Sequence, residues 1–185
     1  MTTHTRLFSV AEYHRMSDKG IFQPDERVEL LNGKIIAMAA KKPPHSLVTQ
    51  CVSDYLKELL QFPGIALVRT QEPIHLDSRS EPEPDIAVVR LPLLQYEDHH
   101  PYPGEIYLVI EVADTTLHYD RRTKASAYAE AGIPDYWVID VKERIHTFRE
   151  PGTKKYQYEK VYDKSAKLAL VAFPDIKVIV HRFFP

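Results

Sequence analysis

The chain has 185 residues, 44% hydrophobic and 27% charged, with a formal net charge of −2. That balance suits one soluble domain over 1–185, long enough to bury a core. It excludes a global field for nucleic acid, so any DNA-binding surface has to be a local basic patch. Cys51 is the single cysteine, which rules out an intrachain disulfide, and it reads as a small apolar filler. Met1 to Arg6 is polar and lacks the apolar core of a signal peptide. The longest apolar runs are strand-length, so no membrane span is expected and the cytoplasm is the expected compartment. Fourteen prolines against six glycines indicate defined turns rather than flexible linkers.

Ser9 is placed to cap a short helix running to about Ser17. Arg27–Leu31 and Lys34–Met38 are apolar runs separated by Asn32-Gly33, the strongest short signal for a β-hairpin with a type I′ turn. Pro43 and Pro44 end the second run. From His45, the residues Leu47, Val48, Cys51, Val52, Tyr55, Leu56, Leu59 and Leu60 recur with helical spacing and form a wide apolar stripe. Pro63-Gly64 stops that helix. Strands follow at Ile65–Arg69 and Glu72–Leu76, then a polar loop over Asp77–Glu83. Ile86–Val89 and Ile106–Val112 read as central strands, joined by a loop rich in proline and histidine with a helical turn. Asp114–Tyr119 is a loop leading into a helix over Asp120–Ala131, which Gly132 and Pro134 end. Tyr136–Asp140 is a further strand. Antiparallel strands are expected at Arg144–Phe148, Tyr156–Val161, Leu168–Val171 and Val178–Val180. The order predicts an α/β or α+β domain with a central mixed sheet, at least one helix-covered face, an N-terminal hairpin and a strand-rich end.

Two acids stand out against this background. Asp85 precedes one central strand and Glu111 lies near the end of the other, between Ile110 and Val112. A carboxylate there is costly to bury unless a cation compensates it. Such a pair is one way a hydrolytic sheet holds a divalent cation. An isolated Pro-Asp at a strand entrance is also an ordinary turn signal, and a buried Glu also pairs with arginine. Lys124 lies one turn past Asp120, with Arg121 and Arg122 between them. Cations at a helix start oppose the helix dipole and make more sense beside a phosphate or carboxylate. Glu29, between Val28 and Leu30, is a further carboxylate that is either part of the site or solvated. His45, at the start of the long helix, is either structural or in contact with a phosphate. The chain has no cysteine pair for zinc, no His-Glu-x-x-His, no glycine-rich phosphate loop and no Gly-x-Ser-x-Gly elbow.

Pro84-Asp85, Glu111-Val112 and a downstream lysine resemble the PD-(D/E)XK nuclease superfamily in outline. A longer set of segments is similar to the Uma family of putative restriction endonucleases over about Glu12 to Phe184. These segments are Glu29-Leu30-Leu31-Asn32-Gly33-Lys34, His45, Pro84-Asp85-Ile86-Ala87, Glu111-Val112-Ala113-Asp114-Thr115-Thr116, Asp120-Arg121-Arg122-Thr123-Lys124, Tyr128, Ala131-Gly132-Ile133 and Tyr136-Trp137-Val138-Ile139-Asp140. The resemblance implies a restriction-endonuclease-like fold and a metal-dependent DNA nuclease. Asp85 and Glu111 would hold Mg²⁺, or Mn²⁺, with the Val112 carbonyl as a third ligand. Lys124 would act at the scissile phosphate, Glu29 would be an added ligand, and Arg121, Arg122 and His45 would contact the DNA backbone. One departure stands: the short Glu-x-Lys motif would put lysine at 113, where this chain has Ala113, so the role moves to Lys124 on the next helix.

Two other classes fit the same residues. One is a nuclease fold without activity, serving as a DNA-binding or assembly module. The other is a small-molecule or protein-binding domain in which Asp85 and Glu111 merely pair with arginines. Tyr136, Trp137, Phe148, Tyr156, Tyr158, Tyr162, Phe173, Phe183 and Phe184 cluster late in the chain, either as core or as a homodimer face. Cutting both strands of a duplex suits a dimer.

Overall fold

The computed structural model describes residues 4–185. Of the polar stretch Met1 to Arg6, residues 1–3 therefore lie outside the described part. Helix α1 (Val10–Asp18) starts on a capping box: the Glu12 N–H donates to the Ser9 hydroxyl, and the Glu12 carboxylate accepts from the Ser9 N–H. Strands β1 (Val28–Leu31) and β2 (Lys34–Ala37) pair antiparallel around Asn32 and Gly33, both at positive φ as a type I′ turn requires. Gly33 is doubly constrained, since a Cβ there would meet the Leu7 Cβ at 2.7 Å.

Helix α2 (Pro43–Leu56) runs on through a π turn, Lys57–Gln61. Pro43 and Pro44 do not close the preceding strand region, as expected from sequence, but occupy the first turn of α2. There their missing N–H groups have no helical partner to lose. The core of the fold is a six-stranded mixed sheet of order β3-β4-β5-β6-β7-β8. Its strands are β3 (Leu67–Thr70), β4 (Ile86–Val89), β5 (Ile106–Ala113), β6 (Asp135–Asp140), β7 (Arg144–Pro151) and β8 (Tyr156–Asp163). Only the β5–β6 pair is parallel. Its crossover holds α3 (Leu117–Tyr119), a π turn (Asp120–Lys124) and α4 (Ala125–Glu130) in succession. This helix begins three residues before the expected Asp120, so Arg121, Arg122 and Lys124 sit past its first turn. Glu72–Leu76 forms no strand. Two short strands, β9 (Lys167–Leu170) and β10 (Phe173–Ile179), make a separate hairpin.

Side-chain alternation splits the core across the sheet. Ile86, Val88, Leu108, Ile110, Val112, Trp137 and Ile139 pack under α2 and the β9–β10 hairpin. Ala87, Val89, Val109, Ala113, Tyr136, Val138 and Phe148 pack under α4. Tyr136, Trp137, Phe148, Tyr156 and Phe183 are all buried, so most of the late aromatics are core; Tyr158 is exposed. Among the described residues, no helix is long and apolar enough to cross a membrane.

Candidate functional site

The alternation that builds the two cores also places the acids. Ile110 and Val112 point to the α2 side, so Glu111 between them points to the α4 side. In the antiparallel β4–β5 register Ile86 faces Ile110, and one further step brings Asp85 level with Glu111 on that same face. Pairing stops there, and the Asp85 side chain takes over: its Oδ2 accepts the Val112 N–H at 2.9 Å. A strand residue's C=O lies on the same edge as its N–H, so the Val112 carbonyl lies on the Asp85 edge. His45, in the first turn of α2, places Nε2 3.0 Å from the same Asp85 oxygen. Gln71 Nε2 donates to Asp85 Oδ1 at 3.3 Å.

The crossover helix closes the site from the α4 side. The π turn leaves Asp120 and Lys124 buried while Arg122 and Thr123 face out. π turns are rare and frequent at functional sites. Lys124 Nζ is 2.9 Å from Glu111 Oε1 and 3.2 Å from Glu29 Oε2. Tyr128, one turn further on, donates its hydroxyl to Glu111 Oε1 at 2.7 Å. Glu29 on β1 is 3% exposed and its other tie is the Glu83 N–H, at 3.1 Å. The Asp120 carboxylate accepts from the Thr116 hydroxyl at 2.6 Å.

Four buried acids thus lie around the cluster that Lys124 enters, and Glu111, Asp120 and Asp85 differ in how readily they give up a proton. Burial pushes Glu111 up to about 8, against the pull of Lys124 and with the help of Asp120, Asp85 and Glu29. Burial likewise raises Asp120 to about 6. Asp85 goes the other way: burial would raise it, but the His45 contact, the Val112 N–H and Lys124 outweigh that and hold it below the usual carboxylate range. Burial works against the Lys124 charge, yet Glu111, Glu29 and Asp120 raise it above an ordinary lysine, so it stays protonated.

These groups open onto a cavity of about 330 Å³. Glu29, His45, Asp85, Glu111, Val112, Asp120 and Lys124 line it together with Lys41, Lys42, Thr116 and Tyr119. Its hard donors are carboxylate oxygens and the Val112 carbonyl. Among the described residues, no group of three or more His, Cys, Asp or Glu side chains is arranged to hold a metal ion. Carboxylate and carbonyl oxygens are the donors that hard divalent cations take.

The structure brings together six of the eight residues singled out from sequence: Glu29, His45, Asp85, Glu111, Val112 and Lys124. Arg121 and Arg122 do not reach the cavity; Arg121 pairs with Glu159 on β8, and Arg122 is exposed. Neither arginine contacts Asp85 or Glu111, whose partners are His45, Gln71, Val112, Lys124 and Tyr128. Tyr128 was legible as the residue one turn after Lys124 on the same helical face. Gln71 and Lys41 lie in irregular segments and carry no periodic signal.

The family model described as "Uma2: Putative restriction endonuclease" matches residues 10–180. A search of the curated proteins returns no match. Among solved structures, the chain is similar to the crystal structure of a putative nuclease belonging to DUF820 from Anabaena variabilis ATCC 29413. The TM-score is 0.71 at 18% identity, covering 96% of this chain and 97% of that one. The likeness shows a shared fold, including the central mixed sheet.

Proposed function

The chain belongs to the Uma2 family, and from that premise we propose that it is a divalent-metal-dependent endodeoxyribonuclease hydrolysing phosphodiester bonds in DNA. One observation carries the reading: Glu29, Asp85, Glu111 and Asp120 are buried at one cavity, where Lys124, the one buried ammonium among the described residues, pairs with only Glu29 and Glu111. That leaves buried negative charge for which a divalent cation is the natural complement.

In this reading Asp85, Glu111 and the Val112 carbonyl hold the cation, with Mg²⁺ the first candidate and Mn²⁺ the second, and Glu29 reaches it directly or through water. When bound, the cation supplies an acidified water and neutralises charge on the phosphate. The protein's own groups do the rest. The Val112 N–H fixes the Asp85 carboxylate, and His45 keeps it ionised. Tyr128 and Lys124 orient Glu111 by donating to the same carboxylate oxygen, Oε1. Lys124, always protonated, is placed to offset negative charge building on the phosphate. It does from a helix what a lysine at 113 would do from the strand. His45, at the mouth of α2, is the first candidate for a DNA-backbone contact. Arg121 and Arg122 remain candidates for more distant contacts, Arg121 only after releasing Glu159. Two such sites in a homodimer would serve both strands of a duplex, and the expected setting is the cytoplasm.

Incubating plasmid DNA with the protein and Mg²⁺ or Mn²⁺, beside Asp85→Ala and Glu111→Ala, tests the reading. Cleavage is expected with the wild type alone and is abolished by EDTA. Cleavage that persists in both variants, or that survives EDTA, overturns the assignment, as does a wild type that never cuts.

A further inference from the structure

We propose that the same cavity carries a second, phosphate-binding pair of groups, with Lys41 as its cation and the Tyr119 hydroxyl as its neutral donor. The proposal rests on the nuclease reading for its substrate, but the two groups are distinct from those that would hold the metal.

Three cavity lysines have different fates. Lys124 is committed to Glu111 and Glu29, and Lys42 reaches Asp114 at 3.6 Å. Lys41 lines the same cavity, is only partly exposed, and among the described residues takes part in no ion pair. Burial and the nearby Arg27 charge lower its pKa, against the pull of Asp85, Glu83 and Glu111. An ammonium that loses water without gaining a partner calls for an anion. Tyr119, in α3, is the complementary case. Its hydroxyl is shielded from water and has no hydrogen-bond partner, although buried hydroxyls are nearly always paired. Burial and Glu29 push its pKa up to about 12, so it keeps its proton and can only be satisfied as a donor by an incoming acceptor or as an acceptor by an incoming donor.

Pro43 and Pro44 supply no N–H, so the start of α2 offers an anion few backbone donors and recognition falls to the side chains. A phosphate offers what these groups lack: negative charge and several acceptor oxygens on one small tetrahedron. A carboxylate ligand offers fewer acceptor oxygens than a phosphate to serve both groups. Free phosphate and the DNA backbone share this chemistry, and the experiment separates them.

Binding of a short DNA duplex is measured against salt concentration for the wild type, Lys41→Gln, Lys41→Arg and Tyr119→Phe, all with Mg²⁺ at 4 °C to limit turnover, alongside calorimetric titration with inorganic phosphate. Lys41→Gln is expected to flatten the slope of log K against log salt by about 0.9, the loss of one phosphate contact, with Lys41→Arg restoring it. Tyr119→Phe is expected to weaken binding about 2–10-fold without changing the slope. A merely structural role for Lys41 would leave the slope alone, and an unchanged slope in Lys41→Gln overturns the proposal. If the wild type cuts DNA and Lys41→Gln binds it with the same slope, only this inference fails. If the wild type ignores DNA but binds phosphate, and Lys41→Gln does not, the anion site stands and the nuclease reading falls. If the wild type binds neither, both fall.

Discussion

Two places in this molecule bury acids beside a cation, and they differ in what is left over. Asp135, at the start of β6, is fully buried. Its Oδ1 accepts from Trp137 Nε1 at 2.8 Å and Arg149 Nε at 3.1 Å; its Oδ2 accepts from the Val171 N–H at 2.9 Å and Arg149 Nη2 at 3.3 Å. Arg149 also donates to the Ala169 carbonyl at 2.6 Å, tying the β9–β10 hairpin to the sheet. One acid meets one cation, and both carboxylate oxygens are taken. At the other site four buried acids lie together, one buried ammonium pairs with two of them, a tyrosine hydroxyl has no partner, and a cavity adjoins them. Burial of charge is common to both. Unspent valence beside open space belongs to only one, and that difference separates a structural knot from a place where chemistry can be done.

Exchanging the two sites' fates would break the comparison, and the largest effects are expected there. Asp85→Ala and Glu111→Ala should each lower DNA cleavage about 10²–10³-fold or more; Glu111→Ala also relieves repulsion in the acidic cluster, whereas Asp85→Ala leaves the Val112 N–H without its acceptor and costs about 1–3 kcal/mol. Asp135→Ala should instead cost about 3–5 kcal/mol of stability by leaving Arg149 uncompensated, with cleavage by the remaining folded protein unchanged. Urea denaturation and plasmid cleavage, run on all three variants, check this. A stable but inactive Asp135→Ala would erase the distinction.

Lys124 sharpens it, being at once structural and proposed to be functional. Lys124→Met removes the one cation from Glu29 and Glu111 and should destabilise the protein by about 3 kcal/mol in EDTA. Saturating Mg²⁺ should return more of that loss to the variant than it adds to the wild type, since the ion then meets carboxylates with no competing ammonium. Thermal melts with and without Mg²⁺ measure the difference. Equal Mg²⁺ shifts in both proteins would mean that the cation does not sit at Glu29 and Glu111.

Much of this contrast could be read along the chain. Asn32-Gly33 specified its turn, Ser9 and Glu12 their capping box, and period-two alternation around Glu111 fixed the face it would occupy. Glu111 was recognisable because it interrupts an apolar run, where a carboxylate has no cheap explanation; Asp85 precedes its run and taken alone also reads as an ordinary turn residue. Lys124 was different. With Ala113 in the strand position, nothing local says that a helical lysine turns back over the sheet, and the crossover that brings it there is a property of the parallel β5–β6 pairing. The start of that helix was misplaced because Leu117–Tyr119 has too little length to show a period. Pro43-Pro44 reads equally as a stop or as a first turn. Arg121 and Arg122 looked poised for phosphate only on the assumption that the helix began at Asp120. A start at Leu117 moves them off the helix end and away from the cavity. Asp135 gave no sign of its knot, since Arg149 reaches it from β7 and Val171 from the β9–β10 turn, both distant in sequence.

The smallest effect tests the excess of acid directly. Asp120 is buried in the cluster and its pKa is raised from 3.8 to about 6 by burial, against the Thr116 hydrogen bond and Lys124. A carboxyl raised in the folded state contributes stability that is fully present below its unfolded pKa, near 3.8, and is lost as pH rises through about 6. Asp120→Asn keeps an acceptor for the Thr116 hydroxyl and removes the charge. In EDTA the variant should therefore gain about 1–2 kcal/mol relative to the wild type between pH 4 and pH 7, with most of the change between pH 4 and pH 6. Urea denaturation at a series of pH values reads this as a difference between two curves. A flat difference would mean that Asp120 ionises freely in the folded protein, and that the four acids are less crowded for charge than their burial implies. Burial also raises the Asp135 carboxyl, but Asp135→Asn leaves Arg149 without its carboxylate, so there any gain with pH is set against a lost ion pair and a net loss of stability is expected.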